Sequence, residues 1–260
     1  MNSPVAEITA RMRQYLPPPQ ILVGRVIAIT GAYGSVGRAV AMAAARQGAE
    51  VILIGRDVRK LEAVFAAIEA EKGIATIAPL NLETSPAQEY DALAAAIGTR
   101  FGRLDGLLHN AALLGQLSPI DHYDVPTWCR VMQVNVTAAF ALTQVLLPHL
   151  RASTSASLVF TSSGAGRRGY AYWGAYCASK FAIEGLMQTL AEECAHLPQL
   201  RINAINPGPT RSAMRRAAFP AEAPNAAAEP GHLVNAYLWL LGPASQGVSG
   251  QSLDVQPPRA

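Results

Sequence analysis

Tyr176 and Lys180 stand four residues apart, and their side chains are of types that together can move a proton. On a helix, residues at this spacing share one face, about one turn apart. A free tyrosine has a pKa near 10, too high for ready proton exchange at neutral pH, and a neighbouring ammonium lowers that pKa by favouring the phenolate. Chance also produces such pairs on helix surfaces, so the surrounding elements decide what this pair means.

Ser163 stands thirteen residues before Tyr176, just past the apolar run Leu158–Thr161. This run predicts a strand, and ligands bind outside the carboxyl ends of strands in open α/β sheets. A hydroxyl at that place can hydrogen-bond the oxygen of a substrate. Side-chain alternation points the adjacent Ser162 to the other side, which favours a structural role for it.

The segment Thr30–Gly37 follows the apolar run Val26–Ile29 and precedes a predicted helix. Its glycines let the backbone turn tightly and approach a pyrophosphate, and the helix N-terminus adds free N–H groups and a positive dipole end. This context predicts a dinucleotide site. An ordinary glycine-rich turn is the alternative.

Arg56 stands at the end of the second predicted strand, where NAD sites usually place a carboxylate on the ribose hydroxyls. A carboxylate repels a 2′-phosphate, whereas a guanidinium grips it in a fork. The sequence therefore predicts NADP(H) in preference to NAD(H). Asp57 is assigned to capping the next helix. A merely solvated Arg56 is the alternative.

Strands alternate with helices along almost the whole chain, which predicts an α/β protein with a single-domain Rossmann fold: a doubly wound parallel sheet of about seven strands, with helices on both faces. Residues 1–24 are expected to form an irregular or partly helical arm, residues 25–256 the folded domain, and residues 209–231 a substrate loop or lid. The predicted strands are 26–29, 51–54, one within 74–82, 104–110, 158–161, 201–206 and 252–255, and the predicted helices include 36–47, one with Pro86 at its first position, 124–149, 176–196 and 232–241.

Composition narrows the classes of function. Half of the residues are apolar and 15% are charged, with a net charge of +3, which is globular and too even to indicate a nucleic-acid partner. Three cysteines give no disulfide framework and suit a reducing compartment. The histidines and cysteines lack metal-ligand spacing, so no metal is expected. We find no signal peptide and no membrane span, and the expected location is the cytoplasm.

Together these landmarks resemble the short-chain dehydrogenase/reductase family over residues 20–256. The matching positions are Thr30–Gly37, His109–Ala112, Asn135, Ser163, Tyr176 with Lys180, and Asn206–Gly208. Within the family, the segments 108–115, 132–136, 159–163, 173–181 and 237–241 are similar to the bacterial YciK-type oxidoreductases.

The resemblance implies a role for each matching residue. Tyr176 would be the acid/base, Lys180 would lower its pKa and hold the nicotinamide ribose, and Ser163 would position the carbonyl. Asn135 would lie in the kinked middle of a helix and hold a water of a proton relay. The expected cofactor-binding residues are Gly31, Tyr33, Gly34, Ser35, Val36, Gly37, Arg56, Asn81, Leu82, Asn110, Ala111, Tyr176, Lys180, Pro207, Gly208, Thr210 and Ser212.

Several positions depart from the family pattern, including Ala112, which replaces a glycine. Ser35 occupies the usual middle glycine of the turn, and its hydroxyl is expected to bind a phosphate. Asn81 stands where an aspartate usually meets the adenine, and it keeps an acceptor. His109 replaces an asparagine, and a half-buried structural histidine is favoured over a catalytic one.

Several further side chains have two interpretations each. The arginines at 167, 168, 215 and 216 either favour an anionic substrate or are solvated loop charges. Four leucine and valine positions are expected to build helix faces and a subunit interface of a homodimer or homotetramer: Leu142, Val145, Leu146 and Leu186. The aromatic residues Trp128, Tyr172 and Trp173 are expected in the core or the pocket wall.

The sequence therefore predicts an NADP(H)-dependent oxidoreductase that interconverts a carbonyl and an alcohol on a small-molecule substrate. Two alternatives remain open: a nucleotide-binding regulatory or scaffold protein with little turnover, and a non-redox chemistry of the family, such as epimerisation or dehydration. The sequence leaves the substrate and the direction of the reaction open.

Overall fold

A computed structural model describes residues 4–223 and 225–257. Seven strands form one sheet in the order β3-β2-β1-β4-β5-β6-β7, and all neighbouring strands are parallel. The strands are β1 Val26–Thr30, β2 Glu50–Gly55, β3 Ile74–Pro79, β4 Gly106–His109, β5 Ala156–Thr161, β6 Leu200–Asn206 and β7 Ser252–Asp254. The predicted fold class, a Rossmann fold with a doubly wound parallel sheet, is confirmed.

Helices lie on both faces of the sheet. They are α1 Pro4–Arg13, α2 Ser35–Arg46, α3 Val58–Ala70, α4 Ala87–Phe101, α5 Val125–Met132, α6 Ala138–Arg151, α7 Gly174–Glu193, α8 Ala213–Ala218 and α9 Val234–Leu241. Alternate residues of β1 enter two separate cores, with Ile27 and Ile29 beside α2 and α9, and Val26 and Ala28 beside α4 and α6. Burial on both faces explains why β1 is apolar at almost every position.

The ends of several elements differ from the prediction. β4 is shorter than 104–110 because Asp105 uses its carboxylate to bind Val26 N, at 2.8 Å, and the amides after His109 bind a side chain instead of a strand. Pro86 caps α4 instead of starting it. The helix predicted at 176–196 spans Gly174–Glu193, and the one predicted at 232–241 begins as a 3₁₀ turn, Pro230–Leu233.

The helix predicted at 124–149 is α5, a π-helical turn Gln133–Thr137, and α6. By length and composition the whole stretch Val125–Arg151 could cross a membrane, with a mean hydropathy of 1.4 in its most apolar window. In the fold, Leu142 and Leu146 are fully buried against the sheet, as in the core helix of a globular domain. These two leucines were expected to contribute to a subunit interface. That expectation is wrong, because they pack inside their own chain, whereas Val145 and Leu186 stay partly exposed.

The predicted arm and loop are both partly ordered. In the arm, α1 packs against α9, and Met12 is fully buried in the core. The loop 209–231 contains α8. Residues 1–3 of the arm and Pro224 of the loop lie outside the described residues.

Candidate active site

The predicted site residues converge on one cleft of about 1360 Å³ at the carboxyl ends of the strands. Two of them do not line it: Gly37 and Asn135 lie behind its wall. The other predicted residues all line the cleft: Gly31, Tyr33, Gly34, Ser35, Val36, Arg56, Asn81, Leu82, Asn110, Ala111, Ser163, Tyr176, Lys180, Pro207, Gly208, Thr210 and Ser212.

The turn between β1 and α2 leaves no room for side chains at two positions. Gly31 has φ +62°, and a Cβ there would lie 3.0 Å from the Cα of Ala111. A Cβ on Gly37 would lie 2.3 Å from the carbonyl oxygen of Gly31 and 2.8 Å from Asn110 Nδ2. Gly37 therefore shapes the turn from behind, which explains why it does not line the cleft.

The N-terminus of α2 opens onto the cleft through Gly34, Ser35 and Val36. The N-cap residue Gly34 supplies no side chain to the first turn, whose N–H groups have no partner within the helix. A glycine-lined turn that leads into such a helix end fits a pyrophosphate.

A basic corner lies at the end of β2. Arg56 Nη1 is 3.0 Å from Glu83 Oε2, and Arg130 Nε is 2.8 Å from the other oxygen of Glu83. Lys60 Nζ lies 5.6 Å from the centre of the Tyr33 ring. Because Glu83 has two arginine partners, Arg56 can turn to a phosphate without leaving that carboxylate unpaired.

Asp57 accepts a hydrogen bond from Lys60 N at 3.2 Å and caps α3, so its predicted capping role is confirmed. Its carboxylate also pairs with Lys60 Nζ at 3.0 Å. This capping bond occupies the acidic side chain that follows Arg56 in the sequence and could have bound ribose hydroxyls instead.

The proton-transfer residues lie together on α7 and at the end of β5. Tyr176 and Lys180 are buried, and Lys180 Nζ donates to the carbonyl oxygen of Thr161 at 2.7 Å and lies 5.5 Å from the centre of the Tyr176 ring. The Ser163 hydroxyl lies beside Tyr176. Ser163 also caps a 3₁₀ turn, because its Oγ accepts from Ala165 N at 3.2 Å.

Burial controls the pKa values of this pair. It raises the pKa of Tyr176 to about 12, against a smaller opposing effect of the neighbouring Ser163 hydroxyl. It lowers the pKa of Lys180 to about 8, against the opposing charge of Glu184. The sequence predicted a lowered pKa for Tyr176. For the side chains of the protein itself that direction is wrong, because desolvation of the phenolate by burial is the largest effect on this pKa.

Asn135 lies in the π-helical turn between α5 and α6, as a kinked helix middle predicts. Its Oδ1 accepts from Leu113 N at 2.7 Å, and its Nδ2 donates to Leu113 O and to Ser179 Oγ, both at 2.9 Å. Both protons of the amide are therefore used, so a water bound to this side chain would have to donate to Oδ1. The residue ties the 111–114 segment to α7.

Ser162 belongs to a buried network behind the cleft, which supports the structural role expected for it. Its hydroxyl donates to Glu184 Oε1 at 2.5 Å, and Ser252 Oγ donates to the same oxygen at 2.8 Å. Glu184 lies one helical turn after Lys180. The network therefore connects the helix under the lysine to β7.

The two ends of the described chain meet at the far rim of the cleft. Gln256 Nε2 donates to the carbonyl oxygens of Pro207 and Pro209, at 2.7 and 2.9 Å. Arg13 of α1 donates to the carbonyl oxygens of residues 254, 255 and 256, at 2.8 to 3.1 Å. The turn at Gly208, with φ +73°, is held by these bonds.

His109 is buried and neutral. Its Nε2 is 2.8 Å from Thr143 Oγ1, its ring stacks on Phe160 at 4.9 Å, and burial lowers its pKa to about 3. These contacts favour the structural interpretation, with deeper burial than the half-buried position expected.

The contacts of the four arginines do not support the hypothesis that they favour an anionic substrate. Arg168 and Arg216 do not line the cleft. Arg167 does, but it binds Asp254 at 2.7 Å. Arg215 also lines it, and it pairs with Glu222 at 2.5 Å. The charges that reach the cleft wall at its substrate end are already neutralised.

Sequence reasoning missed several residues of the cleft, among them Lys60, Thr161 and Gln256. Lys60 lies in the first turn of α3, four residues after Arg56, and this spacing was a usable signal. The carbonyl group of Thr161 and the amide of Gln256 gave no signal, because backbone acceptors and contacts between distant segments have no sequence pattern. Among residues 4–223 and 225–257, no group of three His, Cys, Asp or Glu residues is placed to hold a metal ion.

Comparisons with known proteins agree with this geometry. A family model described as short chain dehydrogenase matches residues 25–223. The chain is 48% identical over 249 residues, 94% of its length and 97% of the relative's, to the uncharacterized oxidoreductase YciK of Escherichia coli K12.

Two crystal structures of similar proteins hold a nucleotide. A short chain dehydrogenase of Shigella flexneri 2a complexed with NADP is 47% identical, with a TM-score of 0.88 over 92% of this chain and 100% of that one. A short chain dehydrogenase of Escherichia coli CFT073 complexed with NADPH is 48% identical, with a TM-score of 0.87 over the same shares of the two chains.

The crowding at Gly37 predicts a stability effect. We expect Gly37→Ala to lower the free energy of unfolding by about 2 kcal/mol, because the new methyl group collides with the backbone of Gly31. Urea denaturation measures this change. Gly185→Ala is the control, since a Cβ there meets nothing within 4 Å. A loss at Gly37 no larger than that at Gly185 would contradict the packing described.

Proposed function

This chain belongs to the short-chain dehydrogenase family, and we propose that it is an NADP(H)-dependent oxidoreductase that interconverts a carbonyl and an alcohol, with Tyr176 as the acid/base. The observation that carries the proposal is the buried Tyr176, which lines the cleft beside Ser163 and Lys180.

The residues at the adenosine end of the cleft support NADP(H). Arg56 and Lys60 both line the cleft and offer cationic groups for a 2′-phosphate. The amides at the start of α2 and the space beside Gly31 suit the pyrophosphate. The two similar proteins that were crystallised with NADP or NADPH add support from relatives at 47% and 48% identity.

The chemistry of the protein's own residues follows from their protonation. NADPH, when bound, supplies the hydride that the carbonyl carbon accepts. The carbonyl π electrons move to oxygen, which takes the phenolic proton of Tyr176, and solvent returns a proton to the phenolate. With its pKa raised to about 12, Tyr176 carries the proton it must donate at neutral pH. Ser163 orients the carbonyl oxygen beside that proton.

The two alternatives account for less of the site. A scaffold that only binds nucleotide has no need for a buried hydroxyl pair at the opposite end of the cleft from Arg56. Epimerisation or dehydration would use the same residues, and the experiment on Tyr176 below separates these from reduction by following NADPH oxidation.

We further infer the organisation around this activity. Residues 25–256 form the dehydrogenase domain, and 209–231 is the substrate loop. The protein acts in the cytoplasm on a small molecule, without nucleic acid or membrane. The assembly is a homodimer or homotetramer, in which a second copy would cover exposed apolar side chains such as Phe140 and Phe181 on α6 and α7.

Arg56 provides a test of cofactor choice. We expect Arg56→Asp to raise the Kd of NADPH roughly tenfold to a hundredfold, because a charge-assisted phosphate contact is replaced by repulsion, while the Kd of NADH stays within about twofold. Fluorescence titration measures both constants. Arg59→Asp makes the same charge change on an exposed residue that does not line the cleft. Equal losses for both nucleotides would refute the assignment.

Tyr176 provides the test of the reaction. We expect Tyr176→Phe to lower kcat for NADPH oxidation across a carbonyl panel at least about a hundredfold, because the proton donor is lost, while NADPH affinity changes little. Tyr172→Phe is the control, since it removes a hydroxyl from an exposed residue outside the cleft. Turnover that survives in Tyr176→Phe would reject this mechanism. NADPH binding without oxidation by any carbonyl would favour the alternatives.

Lys180 provides a prediction for pH. A lysine with a pKa of about 8 is charged below that value and loses its charge as pH rises through it, so turnover should fall above about pH 8. Glu184 raises the pKa of Lys180, so Glu184→Gln should move this alkaline limb to lower pH. The pH dependence of kcat/KM measures the shift. Glu193→Gln, at an exposed position of the same helix, is the control and should leave the alkaline limb of the pH profile in place. An alkaline limb that does not move in Glu184→Gln would contradict the pKa assignment.

A further inference from the structure

Three aromatic rings form one wall of the cleft beyond Tyr176. The Trp173 ring centre lies 5.7 Å from that of Tyr176, in an edge arrangement, and 5.6 Å from that of Phe219. Tyr170 follows, with its ring centre 6.2 Å from that of Trp173. The rings come from the segment before α7 and from the end of α8, so the wall joins the catalytic helix to the substrate loop.

The two arginines that line the cleft beside this wall are already engaged by the protein, whereas Arg168, 5.4 Å from the centre of the Tyr170 ring, does not line it. Arg215 forms two hydrogen bonds with Glu222, at 2.5 and 2.7 Å, and its guanidinium carbon lies 3.8 Å from the centre of the Phe219 ring. Arg167 forms two with Asp254, at 2.7 and 2.8 Å. An anionic substrate would have to compete with these carboxylates, whereas a neutral ring gains from the aromatic faces without that cost.

Met214 and Leu114 extend this apolar surface. Both pack against the buried cluster of Ala165, Tyr176 and Cys177 and both line the cleft. The surface therefore reaches from the catalytic hydroxyl to Phe219 without an unpaired charge among its described side chains.

We propose that the carbonyl substrate is a neutral ketone that carries an aromatic or alicyclic ring, and that Trp173 and Phe219 select it by contact with that ring. This proposal rests on the proposed function and specifies the substrate class of the same site. The reaction is the one written above: the ketone carbon gains a hydride, the oxygen gains a proton, and the ring is unchanged.

A matched pair of ketones tests the substrate class. Acetophenone and 4-acetylbenzoate share ring and carbonyl and differ by one carboxylate, and 2-butanone lacks the ring. We expect kcat/KM with NADPH to be roughly fivefold higher for acetophenone than for either comparison ketone, because 2-butanone lacks the ring contact and 4-acetylbenzoate adds a charge conflict. A preference for 4-acetylbenzoate or for 2-butanone would overturn the proposal.

Variants of the wall separate the ring contact from the charge. Phe219→Ala should raise KM for acetophenone roughly threefold to tenfold with little change in kcat and none in KM for 2-butanone, and Phe219→Leu should lie between it and the native protein. Glu222→Gln releases Arg215, so it should lower KM for 4-acetylbenzoate roughly threefold and leave that for acetophenone in place. An equal response of all three ketones to Phe219→Ala would contradict a ring contact.

Binding measurements on an inactive variant test this proposal independently of the proposed function. In Tyr176→Phe protein with NADPH, saturation-transfer NMR measures the affinity of each ketone. Tighter binding of acetophenone that is lost in the Phe219→Ala double variant would support the substrate class. A failure of every ketone to oxidise NADPH in the native protein would contradict the proposed function and would leave that binding result in place. Equal affinities for acetophenone and 4-acetylbenzoate would overturn the substrate class even if both are reduced.

Discussion

The close approach of two backbone segments at Gly31 and Ala111 is the constraint on which the rest of the site depends. β1 lies between β2 and β4 in the sheet. The connections that follow β1 and β4 run in opposite directions, so a crevice opens between the carboxyl ends of these two strands. The Thr30 hydroxyl closes the crevice at its base by accepting hydrogen bonds from the amides of Asn110 and Ala111, at 3.0 and 3.1 Å. A side chain at Gly31 would push the 111–114 segment outward. That displacement would move Asn135, whose amide is bonded to this segment.

A second feature of the structure is the set of buried polar groups next to the cleft. Tyr176, Lys180 and Glu184 are all buried on one helix. Lys180 donates to the Thr161 carbonyl oxygen, Glu184 accepts from Ser162, and Tyr176 lies beside Ser163. Such partners offset the loss of hydration. The same burial sets the protonation of the tyrosine and the lysine, so the chemistry depends on how well helix α7 is packed against β5 and β7.

Local patterns in the sequence predicted the parts of this molecule that local physics controls. The spacing of Tyr176 and Lys180, the capping by Asp57 and the apolar runs of the strands all involve residues near one another in the chain. The features that could not be predicted depend on partners that are distant in the sequence. The pairing of Arg215 with Glu222 and of Arg167 with Asp254, which removes the argument for an anionic substrate, is visible only once the loop is folded. The direction of the Tyr176 pKa was wrong for the same reason, because burial is a property of the whole fold.

The bonds from Arg13 to the carbonyl groups of residues 254–256 join positions 241 to 243 residues apart. Closing so long a segment costs chain entropy that only prior collapse of the sheet can reduce. These bonds, and those of Gln256 to the turn at Gly208, are therefore expected to form late in folding. A partly folded chain can form the glycine-rich turn early, but the rim at Pro207–Pro209 is not fixed until the first and last described elements have met. A complete cleft therefore requires that α1 and the segment 254–256 have docked on each other.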